Sequence, residues 1–471
     1  MPTVQPDASP SAPPSAPSPP SAPSPPSAPS PPPALAPPSA PSPPPALAPL
    51  DAPLPAPPSA PPRPSTRARL AAALALALAL GFLATSLAEL RRIPRLNAAV
   101  AIDILPIWLG GRALAGGEDP NDAAVLARIF EEQGLHFRTG GFLSYYPPTA
   151  ALIARPFSAV PYPLAAKGFR YASVLALIAA AVLAVRSAPS RGRVHAAVAT
   201  LALVGYYLSV RPTRAVLPAG QIGPMVLFAT ALALWGISRG RDRIGGIALA
   251  LGAGIKLFPL LLLPAALGRP RVLAAAALAG ALLVAGVALS APHLDLEAWT
   301  RALYGFVNLG VHPAWRHDQP AWILRLWQAR FLALGIPSGL AVVWAWRRRT
   351  DPAVATALGA LFVAWGGTVM AGSHHYHEAL LLLPAVAWVL VWPAQRGPVA
   401  LSWALAVGLA ILAEALGTRS SRSAPSSLHW LIVGYVTWIA CAIRLRWTLA
   451  ASATASATAS ASPAATAAPG A

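Results

Sequence analysis

Apolar residues in this chain come in blocks rather than in alternation. The first block, "LAAALALALALGFLATSL", begins at Leu70. Others follow at approximately 166–186, 194–210, 221–237, 244–268, 271–290, 332–346, 353–371, 379–393, 398–416 and 428–443. A helix of ~20 residues crosses the ~30 Å hydrocarbon layer. In lipid only helices and closed barrels satisfy their own backbone, and blocks without period-two alternation select the helix. The pattern predicts an all-α polytopic membrane protein. Leu70 lies too deep for an ordinary cleaved signal peptide, so the first block reads as a signal anchor.

One long polar interval, 90–165, interrupts the series. In it "GGEDPND" predicts a turn and a helix start, the ordinary use of Asp119 and Asp122. From Thr149 to Val160 the apolar run is too short to span and contains Arg155. It predicts a helix lying along the membrane surface, leading into a membrane helix that starts near Ala166.

The ends differ from the middle. Residues 1–64 hold 29 of the 55 prolines, in imperfect repeats such as "SAPSPPSAPSPP". Such a segment predicts an extended tail without a core, which a proline-reading partner could dock. The C-terminal "ASATASATASAS" reads as a second low-complexity tail. The expected organisation is a cytoplasmic Pro/Ser/Ala-rich tail at 1–66, a transmembrane domain at 67–447 and an Ala/Ser/Thr tail at 448–471.

Composition agrees with the blocks. The chain is 55% hydrophobic and 11% charged, against about a quarter charged in a soluble protein. A net charge of +19 would suit nucleic acid. Yet the positives are nearly all Arg, in short clusters between apolar blocks, as cytoplasmic loops look under the positive-inside rule. Nucleic acid is therefore not the expected partner; the bilayer is. The lone Cys441 excludes an intrachain disulfide and a Cys-based metal site.

Arg63, Arg67 and Arg69 place the N-terminus inside. The clusters at Arg186/Arg191/Arg193, Arg239/Arg241/Arg243, Arg269/Arg271, Arg347/Arg348/Arg349 and Arg396 are all cytoplasmic under one condition. The stretch "GGIALALGAGIKLFPLLLLPAALG" must enter and leave as a hairpin broken near Pro259. Arg91, Arg92 and Arg95 fit this scheme less well. The polar and unusual sequences then gather on the outer side.

Asp103 lies in an apolar stretch just beyond the first helix. It reads either as a turn aspartate or as a carboxylate held at the membrane surface as a general base. Tyr145 and Tyr146 of "YYPP" suit the lipid–water interface. Lys256 sits in an apolar span, where it either snorkels to the surface or meets an anionic headgroup at the hairpin tip. Arg211 and Arg214, in the outer loop "RPTRAVLPAGQ", are candidates for the same role. The loop "YGFVNLGVHPAWRHDQPAWILRLWQAR" sets aromatic rings beside cations, which suits a sugar phosphate and equally an interfacial belt. In "GSHHYHEALLLLP", His374, His377 and Glu378 would share a helical face suited to a divalent metal. The same run, opening a helix after Gly372-Ser373, also suits a phosphate-binding rim.

The ordered set of "GGRALAGGEDP" after Asp103, "YYPPTAALIARPF", "PAGQ" ending at Gln221, "GIALALGAGIKLFP", "DQPAWILR" containing Gln319, and "SHHYHEALLLLP" resembles glycosyltransferase family 87 over roughly residues 70–445. The family commonly reads G-Q-x-N where this chain has Gly220-Gln221-Ile222-Gly223, and N-Q-S where it has Asp318-Gln319-Pro320.

The resemblance implies a GT-C-like bundle of roughly 11–12 membrane helices, with a long first extracytoplasmic loop carrying surface helices. It implies transfer of a hexose, mannose in many members, from a polyprenyl-phosphate donor to a glycan or glycolipid hydroxyl, on the outer face of a bacterial plasma membrane. In this reading Asp103 is the base, and Lys256, Arg211, Arg214, Gln221, Gln319, Tyr145, Tyr146, His374 and His375 line the donor phosphate or substrate site. The lipid-linked sugar is a substrate, and no further cofactor or metal is required. A lipid-linked-sugar flippase, with ionisable groups at the membrane midplane, is the rival from another class. A scaffold recruiting partners through its proline-rich tail is a third.

Overall fold

The structure is a computed structural model. It describes residues 77, 80, 81, 84, 87, 90, 91, 93–101, 103–135, 146–187, 193–209, 211–297, 299–300, 321–371, 385–386 and 425–461. All regular structure among them is helical. The long first loop opens with 3-10 turns at Ile93–Arg95 and Ala98–Val100, followed by α1 (Leu105–Ala115) and α2 (Ala123–Glu132). Then come α3 (Pro148–Ser158), α4 (Tyr162–Ser187), α5 (Arg193–Ser209), α6 (Arg211–Ala219), α7 (Gly223–Ser238) and α8 (Asp242–Ile255). A 3-10 turn at Phe258–Leu262 and a single α-turn at Leu263–Ala266 lead to α9 (Pro270–Ser290). The described helices end with α10 (Ala321–Ala345), α11 (Pro352–Ala371) and α12 (Pro425–Ala461). Among the described residues four stretches are long and apolar enough to cross a membrane: Tyr162–Ser187, Pro270–Ser290, Pro352–Val369 and Ile432–Ala457. The protein is an all-α polytopic membrane protein.

Small residues let these helices approach. A methyl group on Gly236 of α7 would meet the Gly245 backbone of α8 at 2.6 Å. One on Gly434 of α12 would meet the Thr368 hydroxyl of α11 at 2.5 Å. Where lipid is as apolar as the side chains, such close backbone packing replaces the hydrophobic drive of water.

The apolar stretch 244–268 is a hairpin. Pro259 has no N–H for the carbonyl of Ile255, and its ring would clash with that carbonyl. The helix accordingly ends at Ile255, and Lys256 is extended at φ −156°, ψ 135°. The chain then returns, with Pro259 packed over Gly252. At its two ends Arg269 reaches the Asp242 carboxylate at 2.6 Å.

The described arginines of the clusters at 186, 239–243, 269–271 and 347–349 collect at that same end. Arg239 donates to the Arg186 carbonyl, Arg269 donates to the Thr350 carbonyl at 3.3 Å, and Gly268 packs on the Arg349 backbone. Arg348 donates to the Ser452 hydroxyl at 2.7 Å.

Several boundaries differ from the sequence reading. The stretch "RPTRAVLPA", expected as a loop, is helix α6, anchored by the buried Thr213 hydroxyl donating to the Tyr207 carbonyl at 2.5 Å. Helix α4 starts at Tyr162 rather than near Ala166, and α10 at Ala321 rather than 332. Helix α12 runs to Ala461, into the expected tail, because Ala is the strongest helix former. Helix α3 does not lie free on the surface. Ala150, Ala151 and Ala154 are buried, and Gly110 of α1, Gly254 of α8 and Gly286 of α9 face Ala151, Ile153 and Leu152 respectively.

Candidate functional site

At the end of the bundle opposite the arginine clusters, the first loop folds against the turn between α6 and α7. Asp103, half-buried, starts that contact: its N–H donates to the Ala219 carbonyl at 3.1 Å. Next to it Gly220 adopts φ +67°, and a methyl group there would sit 3.1 Å from the Ala101 Cβ. Gln221 follows directly, its N–H bonded to the Val216 carbonyl at 3.1 Å. The two motifs are thus brought together by backbone contact.

A buried arginine locks them there. Arg170 of α4, 1% exposed, donates to the carbonyls of Leu96 and Asn97 in the first loop at 3.1 and 2.9 Å. It also donates to the Pro218 carbonyl of α6, at 2.9 Å from Nη2 and 3.3 Å from Nε. A charge so placed is costly unless satisfied, and here carbonyl dipoles satisfy it. Tyr162, on the same helix, donates to the Ala101 carbonyl at 2.5 Å and meets Trp108 edge-on at 5.4 Å. Trp108 in turn donates its indole N–H to the Val160 carbonyl at 3.2 Å. The Asp103 carboxylate and the Arg170 guanidinium both act electrostatically on the Tyr162 phenol. Asp103 therefore stands on a loop held by α1, α4 and α6 at once.

Sequence reasoning missed Arg170 and Tyr162. The test applied to Lys256, a charge inside an apolar span, would have found Arg170. Arg170 lies inside the apolar block read at 166–186, and it was not singled out there.

Lys256 lies at the same end, half-buried, beyond the last turn of α8. The Thr149 hydroxyl donates to the Gly254 carbonyl at 2.6 Å, which ties the start of α3 to the hairpin tip. Tyr146, just before α3, accepts the Trp299 indole N–H at its carbonyl at 3.0 Å. Ala101, Ile104, Ile222, Ile255 and Phe258 belong to one apolar core, so the Asp103 and Lys256 elements share their packing. Arg211 and Arg214 lie in α6, about two turns and one turn respectively before the Ala219 carbonyl that holds Asp103. Tyr145, Gln319, His374, His375, His377 and Glu378 lie outside the described residues.

Four other acidic residues of the loop serve structure. Asp122 caps α2, accepting from the Ala124 N–H at 2.8 Å. Asp119 accepts from the N–H groups of Asn121 and Asp295 at 2.8 and 2.9 Å. Exposed Arg128 pairs with Glu132 and Glu118, both at 2.6 Å, and their hydrogen bonds and charge hold it protonated above its ordinary range.

This end of the molecule offers a fixed carboxylate and a cation on separate elements, the pairing that acid–base chemistry on an anionic substrate needs. The family comparison gives that chemistry a class. The model of glycosyltransferase family 87 matches residues 142–415, more than half of the chain. The chain belongs to glycosyltransferase family 87. No curated protein matches it. As a family 87 member it is a membrane glycosyltransferase. The matched span contains Tyr146, Arg170, Arg211, Arg214, Gln221 and Lys256. It begins after Asp103.

Proposed function

We propose that this family 87 protein moves a hexose, mannose as the first candidate, from a polyprenyl-phosphate donor to a hydroxyl of a glycan or glycolipid. The reaction takes place on the extracytoplasmic face of a bacterial plasma membrane. The observation that carries the reading is the placement of Asp103. It sits on a braced loop, at the bundle end remote from the arginine clusters that the positive-inside rule assigns to the cytoplasm. Nucleotide sugars are not available outside that membrane, and a lipid-carried donor meets the need.

Asp103 accepts the proton of the acceptor hydroxyl as its oxygen attacks the anomeric carbon. The new C–O bond forms as the bond to the donor phosphate breaks, with inversion. The polyprenyl phosphate leaves as an anion, and Lys256 neutralises its growing charge, with Arg211 and Arg214 of α6 as further cations. Preorganised charge of this kind is usually the largest catalytic contribution. Gln221, Tyr145, Tyr146, Gln319, His374 and His375 contribute to the substrate site. No cofactor beyond the donor itself is required.

The reading is tested with membranes expressing the protein, supplied with radiolabelled polyprenyl-phosphate hexoses and a glycan-containing extract. Transfer from the lipid donor, giving a linkage of inverted configuration, is the expected result. Movement of the intact lipid-linked sugar across the bilayer without transfer would favour a flippase instead.

A further inference from the structure

The arginine-rich end holds a second feature, independent of the sugar-transfer chemistry. Helices α10 and α12 descend side by side to that end and are tied at two levels. Higher up, the Trp438 indole N–H donates to the buried Ser338 hydroxyl at 3.0 Å. Lower down, Arg348 donates to the Ser452 hydroxyl at 2.7 Å. Between the two ties the helices part and leave a groove of about 360 Å³. Its walls are Leu340, Ala341 and Trp344 of α10 and Trp438 and Ala442 of α12, with Leu361 of α11 as its floor. The size falls within the ~300–1,000 Å³ of small-molecule sites.

The groove ends in positive charge. One turn past Trp344 stand Arg347 and Arg348, and one turn past Ala442 stands Arg446. Arg347 and Arg446 are exposed and form no ion pair with a described residue. Exposed Trp344, Trp346 and Trp447 lie within three residues of them in the sequence, with Arg349 stacked 4.2 Å over the Trp346 ring. Arginine beside tryptophan marks headgroup level. An occupant must therefore be a thin apolar chain joined to an anion at the membrane surface. A protein helix, ~10 Å or more across with side chains, does not fit, and large Leu340 and Trp344 deny it the small residues that close helix packing uses.

We propose that this groove binds one acyl chain of an anionic glycerophospholipid, with the lipid phosphate seated between Arg347 and Arg446. The lipid belongs to the leaflet at the arginine-rich end and fills the gap left between the two ties.

Native mass spectrometry of the full-length protein, released from mild detergent after titration with phosphatidylglycerol or phosphatidylcholine, tests this. Wild type should retain one phosphatidylglycerol in preference to phosphatidylcholine. Replacing both arginines (Arg347→Gln with Arg446→Gln) should reduce that preference roughly 30-fold, the product of two surface-charge contributions. The paired Lys substitutions should keep it. Ala442→Trp should fill the groove and lower phosphatidylglycerol retention with the arginines intact. Equal retention of the two lipids by wild type, or an unchanged preference in the Gln pair, would overturn the proposal. So would a dimer whose formation expels the lipid, which would make the groove an interface between two copies. The Gln pair alters only exposed side chains, so the test survives if Ala442→Trp fails to fold.

Discussion

The Asp242 carboxylate and the Arg269 guanidinium meet at 2.6 Å across 27 positions of sequence. Between them the chain leaves this end of the bundle along α8, breaks at Lys256 and comes back. An uninterrupted helix of that length would span ~40 Å and set the two groups on opposite sides of the membrane. The pair therefore sets the start of α9 at the same end as the start of α8.

The hairpin is testable by labelling. Cys441 is buried, so single cysteines can be read against a low background. Cysteines replacing Arg241 and Arg271 should react with an impermeant maleimide from the same side of sealed vesicles, and one replacing Lys256 from the other side. Labelling of the 241 and 271 positions from opposite sides would show a straight span.

The ion pair itself should matter to stability. Its side chains are 7% and 20% exposed, and removing one partner of a buried pair leaves an uncompensated charge, a loss of ~3–5 kcal/mol. Asp242→Ala should lower the detergent-solubilised Tm strongly. Combining it with Arg269→Leu should recover much of the loss, because no charge is then left unpaired.

Arg170 should behave as a positioning residue for Asp103. Its bonds join carbonyls of Leu96, Asn97 and Pro218, and each hydrogen bond to a charged group contributes ~1.5–3 kcal/mol. Arg170→Ala should destabilise the protein outright. Arg170→Lys keeps the charge but not the fork that spans both elements. It should fold, with kcat reduced more than KM for the lipid donor. A change in KM alone would place Arg170 in donor binding instead.

Gly220 is the other position where the brace can be tested. Its φ of +67° would cost a side-chain-bearing residue ~1–2 kcal/mol, and a Cβ would press on Ala101 and Ile104 at 3.1 and 3.2 Å. Gly220→Ala should lower Tm by a few degrees and slow transfer by displacing the Asp103 loop. An unchanged rate would mean that the loop's placement is not limiting.

Much of this architecture was legible in the sequence, for identifiable reasons. Unbroken apolar blocks announce membrane helices, and Pro259 announces a break because a proline acts on the carbonyl four positions earlier. The arginine clusters, read under one charge rule, required the hairpin that Asp242 and Arg269 now close. Asp122 was recognisable as a helix cap from its place before an apolar run. What could not be read depended on tertiary approach. The charge of Arg170 inside an apolar span was visible, but its acceptors were not, since they lie 48 to 74 positions away. Helix α6 was hidden by its two prolines and two arginines, which mimic a loop; burial of Thr213 and Val216 makes it a helix. The wedged position of α3 likewise depends on glycines in three other helices.

The central claim is that Asp103 removes the acceptor proton. Its most direct test is sugar transfer from polyprenyl-phosphate mannose by wild type and Asp103→Asn, at matched expression and with the variant's folding checked by Tm. General-base catalysis contributes ~10²–10⁴-fold, so the variant should lose at least about a hundredfold in rate with donor binding retained. Equal rates for the two proteins would remove Asp103 from the mechanism.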